Sequence, residues 1–360
     1  MNPRAALNLL GDRLATLPLA ILYVTDRCNS RCVTCDYWKY GQTNFSLENA
    51  RRLAPQLKAL GTQVVLLSGG EPLLHPRWAD IARAMRTAVP QTWLLTAGLS
   101  LQKHAPEVVE LCQRVTVSLD GATPETYSAI RGVDAFQAVC AGIRAVVERG
   151  AHVTLRCTVQ RRNYHELPAL IRIARDLGVQ QISFLAVDVS THVAFARQED
   201  YEKTMALQSA DLAPFAAVLD ELERDFAPEF ASHFIAEAPA KLRRLHQYFA
   251  ALLTRNGQRL EVSADTEFPP VHCNAPRFSA VIGADGHLQP CYFIPGPNSP
   301  TPLRFTSGAI VSNHQPLKAA LNTSDFIALR QSIRLGQRRE CQTCVCSMYR
   351  GPRALLFSDF

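Results

Sequence analysis

The sequence predicts an α/β fold built on parallel strands, and three observations lead to this class. Six short apolar runs lie between about residues 20 and 190, and segments of helical periodicity separate them. Apolar runs that alternate with helices in this way indicate βα units and a parallel sheet. Unusual loops follow the first, second and fourth runs. Because the loops after parallel strands meet at one edge of the sheet, these three are expected to share a site.

Each apolar run is a predicted strand that ends in a turn or loop. The runs are LAILYVT (19–25), VVLLSGG (64–70), TWLLTAG (92–98), RVTVSLDG (114–121), HVTLRCTV (152–159) and ISFLAV (182–187). The helices predicted between them are SLENARRLAPQLKALG, HPRWADIARAMRTA, PEVVELC, FQAVCAGIRAVVERG and HELPALIRIARDLG. Six units are fewer than the eight of a closed barrel, so the prediction is a partial (βα)6 barrel similar to a TIM barrel.

Three regions are predicted along the chain. Residues 1–190 form the partial barrel, residues 191–262 a helical bridge without cysteine, and residues 263–360 a small domain with a β-hairpin and a helix. The hairpin prediction rests on the turn sequence GADGH between short apolar runs. The last helix, around SDFIALRQSIRLGQ, leads into CQTCVC.

Composition and charge limit the functional classes. The chain has 360 residues, of which 47% are hydrophobic, and its net charge of +6 is spread without a long basic block. This spread is typical of a solvated surface and argues against nucleic-acid binding. No apolar run reaches the length of about 18 residues that a membrane helix needs, and no export signal is evident. A cytoplasmic protein is therefore expected.

The 11 cysteines fall into two groups and three isolated positions. In a reducing compartment, clustered cysteines are metal ligands more often than disulfides. The isolated ones stand in apolar segments, where free cysteine packs as a small hydrophobic residue. The first group is Cys28, Cys32 and Cys35, the second is Cys273, Cys291, Cys341, Cys344 and Cys346, and the isolated ones are Cys112, Cys140 and Cys157.

The first cysteine group has the spacing C-x3-C-x2-C in the loop after the first predicted strand. Three thiolates cannot close a tetrahedral zinc site, yet they suit three irons of a cubane and leave the fourth iron open. A small molecule can bind at such an open iron. The alternative is a zinc site completed by a distant side chain, or three thiols without a metal.

A second motif, SGGEP (68–72), ends the second predicted strand, and together with the cysteine spacing it resembles the radical S-adenosylmethionine (radical SAM) family. The resemblance implies that Cys28, Cys32 and Cys35 hold a [4Fe-4S] cluster whose fourth iron chelates S-adenosylmethionine (SAM). One electron then splits SAM and yields a 5′-deoxyadenosyl radical. A flavodoxin or ferredoxin-type electron donor is implied as a partner.

The same resemblance implies residues that bind SAM. Glycines in SGGEP let the backbone approach a ligand closely, and a guanidinium suits a carboxylate because its fork gives two charge-assisted hydrogen bonds. Asp120 has an alternative role as a turn or helix-capping residue. The candidates are Tyr37 near the adenine, Ser68, Gly69, Gly70 and Glu71 near the amino group, and Ser118, Asp120 and Arg131 in SLDGATPETYSAIRG near the carboxylate.

The second cysteine group opens with the spacing C-x12-G-x4-C, which looks like the start of a SPASM domain. Only Cys346 follows Cys344, and this shortfall resembles the truncated form called a twitch domain. The resemblance implies one auxiliary [4Fe-4S] cluster on four cysteines, in which Cys346 replaces Cys344 or remains a spare thiol. A four-cysteine zinc site is the alternative. The four implied ligands are Cys273, Cys291, Cys341 and Cys344.

The reaction expected from this resemblance is radical SAM oxidoreductase chemistry. The substrate radical is oxidised through the auxiliary cluster, with dehydrogenation or C–S or C–C bond formation on a small polar metabolite or a peptide. About 20 residues precede the first strand, so a large leader-peptide substrate is not expected. By position, the catalytic candidates at the rim are Arg156, Cys157, Asp188 and His192.

Two alternatives to this reaction remain. One is a redox-neutral epimerase or bond-forming enzyme, in which a thiol such as Cys157 returns the hydrogen atom. The other, from a different class, is a non-catalytic zinc or iron–sulfur binding protein.

Overall fold

The computed structural model describes residues 3–189, 195, 202–255, 267–269, 273, 275–294 and 316–345. One eight-stranded sheet lies at its centre. The strands are β1 Leu19–Thr25, β2 Val64–Gly69, β3 Gln91–Thr96, β4 Arg114–Ser118, β5 His152–Val159, β6 Gln181–Ala186, β7 Ser279–Ile282 and β8 Leu288–Gln289. Their order is β6-β5-β4-β3-β2-β1-β7-β8, so β6 and β8 are the edges of an open sheet. The predicted α/β class is confirmed.

Helices alternate with the first six strands and continue through the rest of the chain. Short 3₁₀ helices span Pro3–Leu9, Pro72–Leu74 and Tyr164–Glu166. Within the part of the chain that the structure describes, no helix is long and apolar enough to cross a membrane. The α-helices are α1 Tyr37–Tyr40, α2 Leu47–Ala59, α3 Trp78–Arg86, α4 Ala105–Leu111, α5 Pro124–Arg131, α6 Phe136–Val147, α7 Leu167–Asp176, α8 Glu202–Met205, α9 Ser209–Asp225, α10 Ala227–Ala231, α11 Pro239–Arg255, α12 Ala275–Phe278, α13 Leu317–Ala320, α14 Ser324–Arg334 and α15 Arg339–Gln342.

The two faces of the sheet differ in chemistry because successive side chains of a strand point to opposite sides. One face packs on the helices and is apolar, as in β5, where Val153, Leu155 and Val159 are buried in the main core. We call the opposite face the inner face. Residues paired across parallel strands share a face, and the inner face carries Tyr23, Ser68, Trp93, Ser118, Arg156 and Ser183.

The six predicted strands are present, and β5 has the predicted bounds. Helix α5 was not among the predicted helices, although its signals are in the sequence. The Thr123 hydroxyl accepts a hydrogen bond from the Thr126 N–H, Pro124 occupies the first turn, and Gly132 ends the helix with φ of +70°. The predicted domain limits fall at residues 190 and 262, outside the described residues, so the division stays a prediction.

The predicted hairpin around GADGH is present, and it joins the main sheet. Strands β7 and β8 pair antiparallel, while β7 also pairs parallel to β1, with Leu19 opposite Ser279 and Leu22 opposite Ile282. The sequence did not indicate this second pairing, because strands of four and two residues have too little pattern to show a partner. The hairpin therefore lies beside the strand that leads into the first cysteine group.

The segment that precedes β1 makes polar contacts with the C-terminal helices. The Asp12 carboxylate pairs with Arg334 Nη2 at 2.9 Å and with Arg277 Nη2 at 3.4 Å. The Arg334 contact is the main cause that lowers the pKa of Asp12. Asn322 makes two hydrogen bonds with the Leu14 main chain. Its Oδ1 accepts from the Leu14 N–H, and its Nδ2 donates to Leu14 O. Side chains far apart in sequence thus form one junction.

We predict that Asp12→Asn loosens this junction. The neutral amide cannot form ion pairs with Arg334 and Arg277. In a partly exposed setting, the loss of these charge-assisted hydrogen bonds lowers the free energy of unfolding by about 1–2 kcal/mol. The measurement is the apparent unfolding midpoint by scanning fluorimetry at matched iron content. Asp80→Asn, in an exposed carboxylate that pairs with Arg77 and Arg83, is the control and should leave the midpoint unchanged. Equal midpoints for Asp12→Asn and wild type would contradict the prediction.

Candidate functional site

The cysteine loop, residues 28–35, begins shortly after β1 ends, at the carboxyl edge of the sheet. The end of α5 holds its backbone, because the Arg31 N–H donates to Arg131 O and the Val33 N–H donates to Ile130 O, both at 2.9 Å. These main-chain hydrogen bonds fix the path of the loop without using its cysteine side chains. The thiols can therefore serve as metal ligands.

Glycines allow the neighbouring loops to press against the cysteine loop. A Cβ on Gly70 would lie 2.2 Å from Arg27 O, and one on Gly132 would lie 2.1 Å from Arg31 O. Gly69 has a φ of +129°, which side chains rarely adopt. The SGGEP glycines thus press against the backbone before Cys28, and their predicted approach to a ligand stays a prediction.

Burial and mutual charge raise the pKa of the thiols in the cysteine loop. Burial raises the pKa of Cys28 to about 11 and that of Cys35 to about 12, and in each case the charge of Cys32 adds to the shift. Burial also raises the pKa of Cys32, while the charge of Arg131 lowers it. Ionisation of all three thiols is therefore unfavourable without additional positive charge close to them. A metal centre supplies such a charge.

The donor set of this loop fits an iron–sulfur cubane. Thiolates on one tetrahedral zinc ion stand about 3.8 Å apart, given a Zn–S distance of about 2.3 Å. Across the ranges that the structure describes, no three His, Cys, Asp or Glu side chains meet closely enough to hold one ion. Cysteines on separate irons of a cluster stand further apart than this. Asn29 Oδ1, inside the loop, is buried without a hydrogen-bond partner.

Glu71 is a buried carboxylate that joins β2 to β3. Its Oε1 accepts from the Leu73 N–H at 3.0 Å and from the Thr96 hydroxyl at 2.8 Å, and its Oε2 accepts from the Ala97 N–H at 2.7 Å. Both oxygens are thus bound by the chain itself. The sequence placed Glu71 near a ligand amino group, whereas the structure gives its side chain a bracing role between the two strand ends.

Asp120 and Arg131 form a buried ion pair next to Cys32. Arg131 Nη1 lies 3.0 Å from Asp120 Oδ2, and Asp120 Oδ1 accepts from the Thr158 N–H at 2.7 Å. Arg131 Nε is buried and has no partner. One side of the guanidinium is thus held by Asp120, and its Nε remains for another anion. Ser118 lies on the inner face at the end of β4.

Asn163 supports this pair, and the sequence analysis did not single it out. Its Nδ2 donates to Asp120 O at 2.9 Å and to Thr158 O at 3.0 Å, while its Oδ1 accepts from the Gln160 N–H at 2.8 Å. Asn163 is fully buried. A buried amide two to five residues after a strand is a common device for closing a turn, which is the signal that could have identified it.

Three tyrosines connect the two cysteine groups across the inner face. The Tyr23 ring lies 6.0 Å from that of Tyr37, centroid to centroid, and 6.3 Å from that of Tyr292. Tyr37 follows Cys35 by two positions, and Tyr292 follows Cys291 directly. Ser68 lies opposite Tyr23 on the neighbouring strand. Tyr37, the candidate neighbour of an adenine, thus packs edge-on against Tyr23.

The second thiol group surrounds the hairpin. Cys273 precedes β7, Cys291 follows β8 and Cys341 lies on α15. Burial raises the pKa of Cys291 to about 11 and that of Cys341 to about 12, and the charge of Cys273 raises both further. Three of the predicted ligands are therefore close enough to influence one another. The Cys344 N–H donates to Cys341 O at 3.4 Å, and Cys346 lies outside the described residues.

The structure separates the four catalytic candidates. Arg156 lies on the inner face of β5. Cys157, one position further, lies on the opposite face, 1% exposed and within the main core. This agrees with the expectation that an isolated cysteine in an apolar segment packs as a small hydrophobic residue. Because neighbouring strand residues alternate between faces, Cys157 does not share the inner face with Arg156. Asp188 is buried just after β6, and His192 lies outside the described residues.

Family comparisons match both halves of this site. Residues 22–174 match the Radical SAM superfamily, and residues 273–345 match SPASM, an iron–sulfur cluster-binding domain. The chain carries a radical SAM domain followed by a SPASM domain. These domains indicate iron–sulfur clusters and SAM binding, and they confirm the resemblance that the cysteine spacings predicted.

Curated relatives resemble the radical SAM half. An AdoMet-dependent heme synthase of Methanosarcina barkeri is 32% identical over 164 residues, which are 43% of this chain and 46% of the relative. A GTP 3′,8-cyclase of Cronobacter sakazakii is 34% identical over 170 residues, 44% of this chain and 52% of the relative. Each match spans about half of the relative's length.

Solved structures share the fold over most of the chain. Streptococcus suis SuiB bound to S-adenosylmethionine has a TM-score of 0.62 and 14% identity, covering 95% of this chain and 75% of SuiB. anSMEcpe with bound AdoMet and a Cp18Cys peptide has a TM-score of 0.62 and 17% identity, covering 92% and 88%. At these identities the likeness concerns the fold.

We predict that Glu71→Gln lowers stability and leaves SAM affinity unchanged. The new amide group would face a main-chain N–H, and a buried unsatisfied donor costs about 1–3 kcal/mol. The measurements are the apparent unfolding midpoint and the SAM dissociation constant, both at matched iron content. Glu48→Gln, in an exposed carboxylate that pairs with Arg52, is the control. Weaker SAM binding at unchanged stability would instead make Glu71 a ligand-binding group.

We also predict that Gly70→Ala depletes the iron held by the cysteine loop. The added methyl group would overlap with Arg27 O and displace the backbone that leads into Cys28. About four fewer irons per chain are expected after anaerobic reconstitution, measured by iron and sulfide analysis. Gly11→Ala is the matched control, since a Cβ there meets nothing within 4 Å. Full iron content in Gly70→Ala would show that the contact is not required.

Proposed function

We propose that the chain is a radical SAM oxidoreductase that removes a hydrogen atom from its substrate and then withdraws an electron from the substrate radical, while a proton leaves the substrate to solvent. When bound, a [4Fe-4S] cluster and SAM would supply a 5′-deoxyadenosyl radical as the hydrogen acceptor. The product would be an unsaturated compound or one with a new C–S or C–C bond. The radical SAM and SPASM domains support the enzyme class, and the placement of the two cysteine groups supports the oxidative step.

The observation that carries the oxidative step is the pairing of β7 with β1. This pairing brings the hairpin between Cys273 and Cys291 beside the strand that leads to Cys28. Tyr23 and Tyr292 lie between the two cysteine groups on the inner face. An electron leaving a substrate at this end of the sheet would therefore have an acceptor within the same molecule.

The chain's own residues divide into three tasks under this proposal. Cys28, Cys32 and Cys35 hold the first cluster, and the second is held by Cys273, Cys291, Cys341 and either Cys344 or Cys346, as a twitch-type auxiliary site. Ser118 and the free Nε of Arg131 bind the SAM carboxylate. Backbone groups of Gly69 and Gly70, next to Ser68, bind its amino group, and Tyr37 lies beside the adenine.

The substrate proposed is a small polar metabolite or a peptide. SuiB is known bound to its precursor peptide SuiA, and anSMEcpe bound to a peptide, so related folds admit such ligands. The electron donor proposed is an acidic flavodoxin or ferredoxin. Arg27, just before the cysteine loop, and Arg31, within it, have exposed side chains that are complementary in charge to such a partner.

The position of Cys157 bears on the redox-neutral alternative. A thiol that returns a hydrogen atom must reach the substrate, and Cys157 packs among Val153, Leu155 and Val159 on the helix side. The oxidative reaction needs no such thiol. We therefore prefer it to an epimerase that depends on Cys157.

The test compares metal content and cluster spectra of two triple variants. We expect about eight irons per chain in the wild type and about four in either Cys28/Cys32/Cys35→Ala or Cys273/Cys291/Cys341→Ala, after anaerobic reconstitution. SAM should change the EPR signal of the reduced protein only when the first three cysteines are present. With dithionite as the reductant, 5′-deoxyadenosine should likewise form only when the first three cysteines are present.

The control is Cys112→Ala, because that thiol is isolated and buried in the core. Its iron content and SAM response should equal those of the wild type. Zinc in place of iron, or a spectrum indifferent to SAM in the wild type, would refute the proposed function.

A further inference from the structure

Strand β5 carries a row of polar side chains along the inner face. His152, Thr154, Arg156 and Thr158 alternate with apolar residues that are buried against the helices. Gln160 continues the row just beyond the end of the strand. A polar row on one strand is unusual in a parallel sheet, whose strands are commonly apolar on both faces.

Several atoms of this row are buried without a hydrogen-bond partner. They are Nδ1 of His152, Nε of Arg156 and both amide atoms of Gln160, whose side chain is fully buried. Buried polar groups in folded proteins are nearly always paired, so each exception calls for a bound water or ligand. Here the exceptions recur at every fourth residue, two on the inner face of β5 and the third just beyond its end.

Arg156 carries the permanent positive charge of the row, and the strands beside it carry no acidic residue. None of β1 to β6 contains Asp or Glu. Its partners across the sheet are Ser118 on β4 and Ser183 on β6. The nearby Glu237 is already bound, since it accepts from the Ser183 hydroxyl at 2.8 Å and from the Phe184 N–H at 2.9 Å.

The other guanidinium at this end of the sheet, that of Arg131, already has an acidic partner. Arg131 is paired with Asp120, and it lies under the cysteine loop next to Cys32. Among the described residues, Arg156 has no ion pair, and it lies on β5, four strands away from β1, which leads into that loop. Two anionic groups can therefore be held at separate places, the SAM carboxylate at Arg131 and a second anion at Arg156.

We propose that Arg156 binds a carboxylate group of the substrate on the inner face of the sheet, with the Thr154 and Thr158 hydroxyls beside it. A single guanidinium matches the single charge of a carboxylate, and its fork binds both oxygens. The substrate is therefore a molecule that bears a carboxylate. Its carboxylate lies against the inner face of the sheet, and its reacting part lies toward the cysteine loop. This inference rests on the proposed function, because it assigns the substrate of the same site.

The test uses fluoroacetate as a minimal carboxylate and fluoroacetamide as its neutral isostere, followed by ¹⁹F NMR. The protein is the full chain, anaerobically reconstituted and oxidised. Fluoroacetate should bind at least about tenfold more tightly than fluoroacetamide, and Arg156→Gln should remove this preference. Arg162→Gln, an exposed arginine in the loop after the same strand, should bind like the wild type.

Addition of saturating SAM distinguishes the two sources of a carboxylate. Fluoroacetate binding that persists with SAM present supports a substrate site at Arg156. Any fluoroacetate that Arg156→Gln still binds is assigned to Arg131 and should be displaced by SAM. Displacement by SAM of the fluoroacetate whose binding requires Arg156 would mean that Arg156 holds the carboxylate of SAM, and this would overturn the substrate assignment. Unchanged fluoroacetate binding in Arg156→Gln would overturn it as well.

A second variant keeps the test decisive if Arg156→Gln loses iron or fails to fold. Arg156→Lys retains the charge and loses the fork, so its preference for fluoroacetate should fall several-fold at normal iron content. Wild-type affinity in Arg156→Lys would refute the guanidinium contact. The NMR readout does not depend on SAM cleavage, so a failure of the proposed reaction and a failure of this site give different results.

Discussion

The position of both cysteine groups depends on the hydrogen-bonded pairing of β1 with a strand on each side. On one side β2 brings the glycines after Ser68 against the backbone before Cys28. On the other side β7 brings the hairpin that Cys273 and Cys291 flank. A slip of one residue in either pairing would turn every side chain of that strand to the other face. The register of β1 therefore sets how its two neighbouring strands, and the segments attached to them, are placed beside it.

Buried carboxylates complete this arrangement by tying the ends of neighbouring strands together. Glu71 after β2 accepts the Ala97 N–H after β3, and Asp120 after β4 accepts the Thr158 N–H at the end of β5. Each satisfies a main-chain donor that a loop would otherwise leave without a partner, and a charged acceptor makes the bond stronger than a neutral one would. Glu71 of SGGEP and Asp120 of SLDG thus act as braces between the loops that follow neighbouring strands.

Much of this fold and site could be predicted from the sequence, for physical reasons. The strands are apolar runs with clear ends, and the cysteines of the first group are neighbours in the chain, so local pattern was enough. The partners of β7, Glu71 and Arg131 depend on contacts between distant segments, which no local spacing encodes. The register of β5 against its neighbours shows that the Cys157 side chain lies on the face packed against the helices. The sequence of one strand alone does not show which of its two faces the helices cover. His192 and Cys346 remain predictions.

The pairing of Leu19 with Ser279 also has a consequence for how the chain is made. Translation proceeds from the N-terminus, so the flank of β1 that receives β7 has no partner while some 250 further residues are added. An open, apolar strand edge is a template for pairing with another chain. Contacts between segments this far apart also form slowly during folding. The ribosome-bound chain is therefore expected to be most prone to aggregate before β7 has emerged.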